Sequence, residues 1–184
     1  MPCGIVAVRT MNYFRSRIIS AMLQRSIFFG LILFASFSVT AAQEVNVFKS
    51  GSYAQFLEQH KDQSFLLVLW SLDCPPCYKE LAMLAEETKN QPQLNLILVS
   101  TDTTDDIKEI QQRLNQFGFS QSNAWVFENS MAQQLRYEID PGWYGELPRS
   151  YLFDAQHRRQ AISGILRPQI LQRWSALRSD IADQ

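Results

Sequence analysis

Residues Phe65 to Leu72 (FLLVLWSL) hold one polar side chain among seven apolar ones. An apolar run of this length between polar segments reads as a buried strand. The period then changes. After Cys77 the stretch YKELAMLAEETKN repeats at Leu81, Leu84, Ala85 and Thr88, the spacing of one helix face. The same reading gives a short first strand over Val45–Phe48 and a helix over Ser52–Gln59, with Tyr53, Phe56 and Leu57 on one face. It gives a strand over 65–71, a helix over 76–89 closed off by Pro92, a strand over 94–100, and a helix over 105–117 carrying Ile107, Ile110, Leu114 and Phe117. A short strand, Ala124–Phe127, and a short helix, Ser130–Tyr137, follow. After Pro148 come a strand over 149–153, a turn over Asp154–His157, and a last strand, Gln160–Ser163. Pro168 suits the first turn of a final helix with Ile170, Leu171, Trp174, Leu177 and Ile181 on one face. The pattern is that of one mixed α/β domain, with no internal repeat, long linker or low-complexity tract. Trp70, Trp125 and Trp174 read as core, and His60 and His157 as surface loop residues.

Charge changes the picture only at the N-terminus. The chain of 184 residues has a formal net charge of −1 and is 46% hydrophobic, enough to fill one core. Residues 1–42 hold Arg9, Arg15, Arg17 and Arg25 and no acid, leaving 13 basic and 18 acidic residues in the remainder. That remainder is an ordinary solvated surface without a nucleic-acid footprint. Ile27 to Val39 (IFFGLILFASFSV) is an apolar run after Arg25, followed by Thr40-Ala41-Ala42. This is the layout of a secretory signal peptide. The run is shorter than the roughly 20 residues of a membrane span. The reading therefore places 1–42 as an N-terminal extension plus signal peptide, starting at Met22 and cleaved after Ala42. Residues 43–184 form the domain, and Cys3 has no role. An uncleaved anchor is the alternative. The signal contacts the membrane only during export, and export delivers the domain to the periplasm, where disulfides persist.

The candidate chemistry sits where the buried strand meets the helix, at Cys74-Pro75-Pro76-Cys77. Unpaired N–H groups and the macrodipole at a helix N-terminus favour an anion. A thiolate there has a lowered pKa, and a second thiol three residues on can resolve a mixed disulfide. Cys74 is the exposed nucleophile and Cys77, inside the first turn, the more buried resolving thiol. Two other readings of the pair stand beside this one. A structural zinc wants four ligands, whereas the chain adds only Cys3, His60 and His157 without ligand spacing. A structural disulfide closing so small a loop gains little. The redox reading fits the strand-to-helix context best.

The block Trp70-Ser-Leu-Asp-Cys-Pro-Pro-Cys-Tyr-Lys-Glu80 resembles the thioredoxin superfamily, and within it the extracytoplasmic branch typified by TlpA and ResA. Leu94–Ser100 with Thr101-Asp102 resembles that branch's strand ending in a polar turn. Leu147-Pro148-Arg149-Ser150-Tyr151-Leu152-Phe153-Asp154 resembles its cis-proline strand. The resemblance covers roughly Val45 to Ile181. It implies a thioredoxin fold, a central mixed sheet flanked by helices with the cis-proline strand opposite the cysteines. It also implies a Cys74–Cys77 redox disulfide and a thiol-disulfide oxidoreductase working on protein disulfides. The branch carries an acid where Glu80 stands, which adds to its helical spacing from Cys77 a role as proton relay, the other reading being a solvated helix glutamate beside Lys79. A cis Leu147–Pro148 bond would set the Leu147 backbone facing Cys74, ready to pair with an extended substrate. Arg149, where the family often has threonine, either favours acidic partners or faces solvent, and the second reading is preferred. Trp143 and Tyr144, in a loop longer than the family's, either grip a partner or pack on the core.

Pro75 and Pro76 remove two N–H donors that would otherwise stabilise a Cys74 thiolate. Asp73 sets a like charge beside it, unless the side chain points into water. Both effects favour a reductase over a DsbA-like oxidase, with a membrane donor of the DsbD type to keep the dithiol reduced. The protein reads as a monomer needing no cofactor or metal. A thioredoxin-fold copper-binding chaperone using Cys74 and Cys77 as soft ligands is the rival of a different class.

Overall fold

The computed structural model describes residues 44–119 and 123–182, with side chains up to residue 176. The expected signal segment, its start at Met22 and its cleavage after Ala42 lie outside the described residues, as does Cys3. The elements run β1 (Val45–Phe48), α1 (Ser52–Gln59), β2 (Phe65–Trp70), α2 (Pro75–Asn90), β3 (Leu96–Ser100), a 3-10 turn (Thr104–Asp106), α3 (Ile107–Gln116), β4 (Asn123–Phe127), α4 (Ala132–Ile139), β5 (Arg149–Phe153), β6 (Arg159–Ser163) and α5 (Pro168–Ala182). The expected strand over 65–71 ends one residue early, because Ser71 turns its hydroxyl away to Asp102. The expected helix over 105–117 opens as a 3-10 turn, where Thr103 and Asp106 cap each other.

The six strands form one mixed sheet in the order β1-β4-β3-β2-β5-β6. β1, β4, β3 and β2 pair in parallel, while β5 runs antiparallel to β2 and β6 antiparallel to β5. β2 is central, and its two-residue period divides the interior. Leu66, Val68 and Trp70 face a cluster with Leu81 and Leu84 of α2, Ile110 and Leu114 of α3, and Leu171 and Trp174 of α5. Phe65, Leu67 and Leu69 face a second cluster with Phe56 of α1 and Leu135 and Ile139 of α4. A strand covered on both faces needs the near-continuous apolar run that the sequence shows.

His60 corrects the sequence reading. It closes α1 in the second cluster and is buried, with Nδ1 2.8 Å from the Phe56 carbonyl oxygen. The His157 ring lies against Phe65, with Nε2 2.9 Å from the His60 carbonyl oxygen. Neither histidine is a plain surface residue, since each ring covers the phenylalanine end of the sheet. Trp70 and Trp174 are buried as expected, whereas Trp125 is half-buried.

The segment from α4 to β5 is fixed by one carboxylate. Asp140 pairs with Arg149 at 3.0 Å and Arg159 at 3.1 Å, and accepts from the Tyr151 hydroxyl at 2.9 Å and the Gly142 N–H at 3.0 Å. Both guanidinium groups lie over the Tyr151 ring. Arg149 also pairs with Glu146. It therefore neither faces solvent nor stands free for an acidic partner, because its charge is committed to the loop over 140–146. Burial alone would raise the Asp140 carboxyl. The Tyr151 hydroxyl, the Gly142 N–H and the two arginines outweigh it and hold the carboxyl below its usual range. A lowered native value stabilises the fold above the unfolded value of 3.8 and ceases to do so as pH falls through the native value. Asp140→Asn should therefore cost about 1.5–3 kcal/mol near neutrality, as for hydrogen bonds to charged groups. Denaturant midpoints of the two proteins should converge as the pH is taken below that of a free aspartate.

Candidate active site

β2 delivers the chain to the site, and α2 begins there. Cys74 is the N-cap residue of α2, with Pro75 and Pro76 at the first two helical positions. Prolines suit this place because the N–H groups they lack would have no helical partner. The first N–H after them belongs to Cys77, and it is shared between the Cys74 carbonyl at 2.9 Å and Cys74 Sγ at 3.2 Å. Cys74 and Cys77 are joined as a disulfide. Cys74 is 7% exposed and Cys77 1%, so Cys74 is the outer of the two sulfurs but is buried with the core rather than exposed as expected. Asp73 is exposed, so solvent screens its charge from the pair.

Glu80 lies three residues beyond Cys77 on the inward face of α2 and is wholly buried. Its Oε1 accepts from the Ser150 hydroxyl at 2.5 Å, and the Leu166 N–H bonds to the same carboxyl. Loss of water raises the carboxyl above its usual range, and the Ser150 hydroxyl and the Leu166 N–H oppose this only in part. The acid thus bridges the cysteine helix to β5, two residues after Pro148. The Leu147–Pro148 bond is cis. Leu147 packs against both core clusters, and among the described residues its N–H and C=O find no backbone partner.

The expected aromatic pair divides. Trp143 is buried in the second cluster and donates its indole N–H to the Glu146 carbonyl at 2.8 Å, whereas Tyr144 is 93% exposed. Ser150 was not singled out from the sequence. Its signal was a small polar residue at a fully buried strand position, which needs a hydrogen-bond partner. Ser71, Ser100, Asp102 and Tyr78 were not singled out either, although together they order the turn before Cys74. Among the described residues, no group of three or more His, Cys, Asp and Glu side chains is placed to hold a metal ion.

No protein-family model and no curated protein matches the chain. Solved structures do. A secreted Mycobacterium tuberculosis disulfide oxidoreductase homologous to E. coli DsbE shares 14% identity, with 65% of this chain and 85% of that one covered, at a TM-score of 0.50. The thioredoxin domain of a Bacteroides vulgatus thiol-disulfide oxidoreductase shares 18%, covering 67% and 82%, also at 0.50. A thiol:disulfide interchange protein of the thioredoxin family from Chlorobium tepidum shares 13%, covering 66% and 83%, at 0.50. The chain has the thioredoxin fold. Within that fold the Cys-Pro-Pro-Cys segment occupies the strand-to-helix junction, and the cis-proline precedes the antiparallel strand beside β2.

The buried acid gives this site a pH signature. A raised native value stabilises the fold below the unfolded value of 4.5, and that stability is lost as pH rises through the native value. Glu80→Gln keeps the shape and never ionises. Urea midpoints of the oxidised proteins should agree best at about pH 4. They should separate in favour of the glutamine variant as pH rises, reaching on the order of 1–3 kcal/mol near neutrality.

Proposed function

We propose that this protein is an exported thiol-disulfide oxidoreductase that reduces protein disulfides through Cys74 and Cys77. The observation that carries the reading is the cysteine pair at the N-terminus of α2, with the Cys77 N–H on Cys74 Sγ. The Cys74 thiolate attacks one sulfur of a substrate disulfide. The substrate S–S bond breaks and its other sulfur leaves as a thiolate. The Cys77 thiol loses its proton to Glu80 and attacks Cys74 Sγ, which releases the second substrate thiol. Two electrons pass to the substrate, and the Cys74–Cys77 disulfide remains. The raised Glu80 carboxyl suits the relay, since it binds a proton closer to neutrality than a solvated glutamate. The unpaired backbone of Leu147 supports a strand-like docking of the substrate chain.

The reductase direction rests on the two prolines, which leave Cys77 as the first N–H donor of the helix. A less stabilised thiolate makes a better reductant. The exposure of Asp73 removes it from this argument. The apolar run before Ala42 supports export to the periplasm. A reductase there needs a membrane thiol-transfer donor of the DsbD type, and the protein acts as a monomer.

Cys74→Ser should abolish insulin disulfide reduction, while Cys77→Ser should accumulate mixed disulfides with clients. A Cys77 variant that traps nothing, with Cys74 unalkylated at neutral pH, would sink the assignment. One equivalent of bound copper or zinc tracking activity would favour a metal chaperone instead. The reduction potential should be roughly −200 mV or lower, nearer thioredoxin than DsbA. In intact cells the dithiol should predominate and give way to the disulfide when the donor is removed. Predominance of the disulfide in normal cells would return the protein to the oxidases.

A further inference from the structure

The turn between β2 and α2 is held by side chains from outside it. Asp102, just past β3, accepts from the Ser71 hydroxyl at 2.7 Å and the Leu72 N–H at 2.9 Å. The Ser100 hydroxyl donates to the same oxygen as Leu72, at 2.5 Å, and accepts from the Asp102 N–H at 3.0 Å. The Leu72 carbonyl accepts from the Tyr78 hydroxyl. That phenol ring is fixed in turn, stacked on Phe117 with the Arg113 guanidinium over its face. Within the turn, the Asp73 N–H donates to Ser71 Oγ at 3.2 Å and the Cys74 N–H to the Ser71 carbonyl at 3.3 Å. The N–H groups of Leu72, Asp73 and Cys74 and the carbonyls of Ser71 and Leu72 are therefore all engaged. Asp102 and Tyr78 hold both polar groups of Leu72, while the N–H groups of Asp73 and Cys74 are tied back to Ser71.

We propose that Asp102 and Tyr78 are positioning residues for Cys74, acting through the two polar groups of Leu72. The clamp keeps the nucleophilic sulfur at the N-terminus of α2 when the disulfide is open. An intact disulfide ties Cys74 to Cys77 covalently, and the dithiol does not. With the turn clamped, the sulfur stays where the Cys77 N–H and the helix macrodipole favour its anion. With the turn released, the reduced sulfur is free to leave that position.

The inference rests on the proposed redox function, and its first readout does not require a client. The pH dependence of iodoacetamide alkylation of Cys74 is measured on the fully reduced chain, alongside the rate of insulin disulfide reduction. Tyr78→Phe removes one oxygen and no charge. Asp102→Ala removes the acceptor for Leu72 together with a negative charge. Both should move the alkylation midpoint upward and slow alkylation at neutral pH roughly tenfold, because the thiolate fraction falls. Loss of a nearby negative charge alone acts the other way and favours the thiolate. A downward shift in Asp102→Ala with Tyr78→Phe unmoved is thus a through-space charge effect and overturns the proposal. A lowered melting temperature with an unmoved pH profile in both variants makes the clamp merely structural and also overturns it. Where Asp102→Ala does not fold, Tyr78→Phe decides alone. A wild type that alkylates at Cys74 but reduces no disulfide would fail the functional reading while leaving the clamp testable on the alkylation profile.

Discussion

β2 is denied water on both faces, and the rest of the site follows from that. All six of its side chains are buried, and both of its edges are paired, to β3 and to β5. Burial of a large apolar side chain stabilises by roughly 1.5–3 kcal/mol, so the strand anchors both halves of the core. The same burial bars β2 from any polar chemistry of its own. The first polar side chain is Ser71, where the chain leaves the sheet. The reactive sulfur must therefore be placed within the few residues between Trp70 and the first turn of α2. Two of the positions opening that turn are prolines, which donate nothing. Within the turn the Asp73 and Cys74 N–H groups bond back to Ser71. Asp102, just past β3, and Tyr78 of α2 supply the partners of the two polar groups of Leu72.

The buried acid is the second consequence. Glu80 stands on a helix face whose other inward residues are apolar, answered by the Ser150 hydroxyl and the Leu166 N–H. A buried carboxyl costs free energy that an apolar side chain of similar shape would not. The cost falls between the two elements that carry the site, the cysteine helix and the proline strand.

Most of the architecture was legible in the sequence, because β2 and the amphipathic helices carry strong periodicity. The cysteine pair was legible because a strand, a CxxC pair and a helix in series allow few other readings. The missed features share one property: they depend on contacts between residues far apart in the chain. His60 is polar and near a helix end, so local pattern sends it to the surface, yet Phe56 and Phe65 pack against its ring. Arg149 follows the proline and looks free until Asp140 is brought beside it by the return from α4. Ser100 and Ser150 are single polar residues in apolar strands, which indicates that each has a partner without saying which one. Asp102 was visible only as the end of a polar turn. Its role depends on the parallel pairing of β2 with β3, which sets Trp70 opposite Ser100 and so carries Asp102 to the start of the cysteine turn.

Under the proposed redox function, the two prolines bear on electron flow as well as on geometry. A helix of 16 residues retains its macrodipole whatever its first residues are, so some preference for an anion at Cys74 survives. What is lost is direct donation, because the first two helical positions offer no N–H and the Cys77 N–H is shared with the Cys74 carbonyl. Thiolate stabilisation would thereby rest on the dipole and one shared hydrogen bond. A dithiol whose reduced form is only modestly stabilised gives up its electrons more readily than one with a full set of donors. A sulfur that depends on a single donor is also more sensitive to its position than one surrounded by several. A weakly stabilised thiolate and a tightly clamped turn are therefore parts of one arrangement, since a single donor can serve the sulfur only if the turn that presents the sulfur does not move.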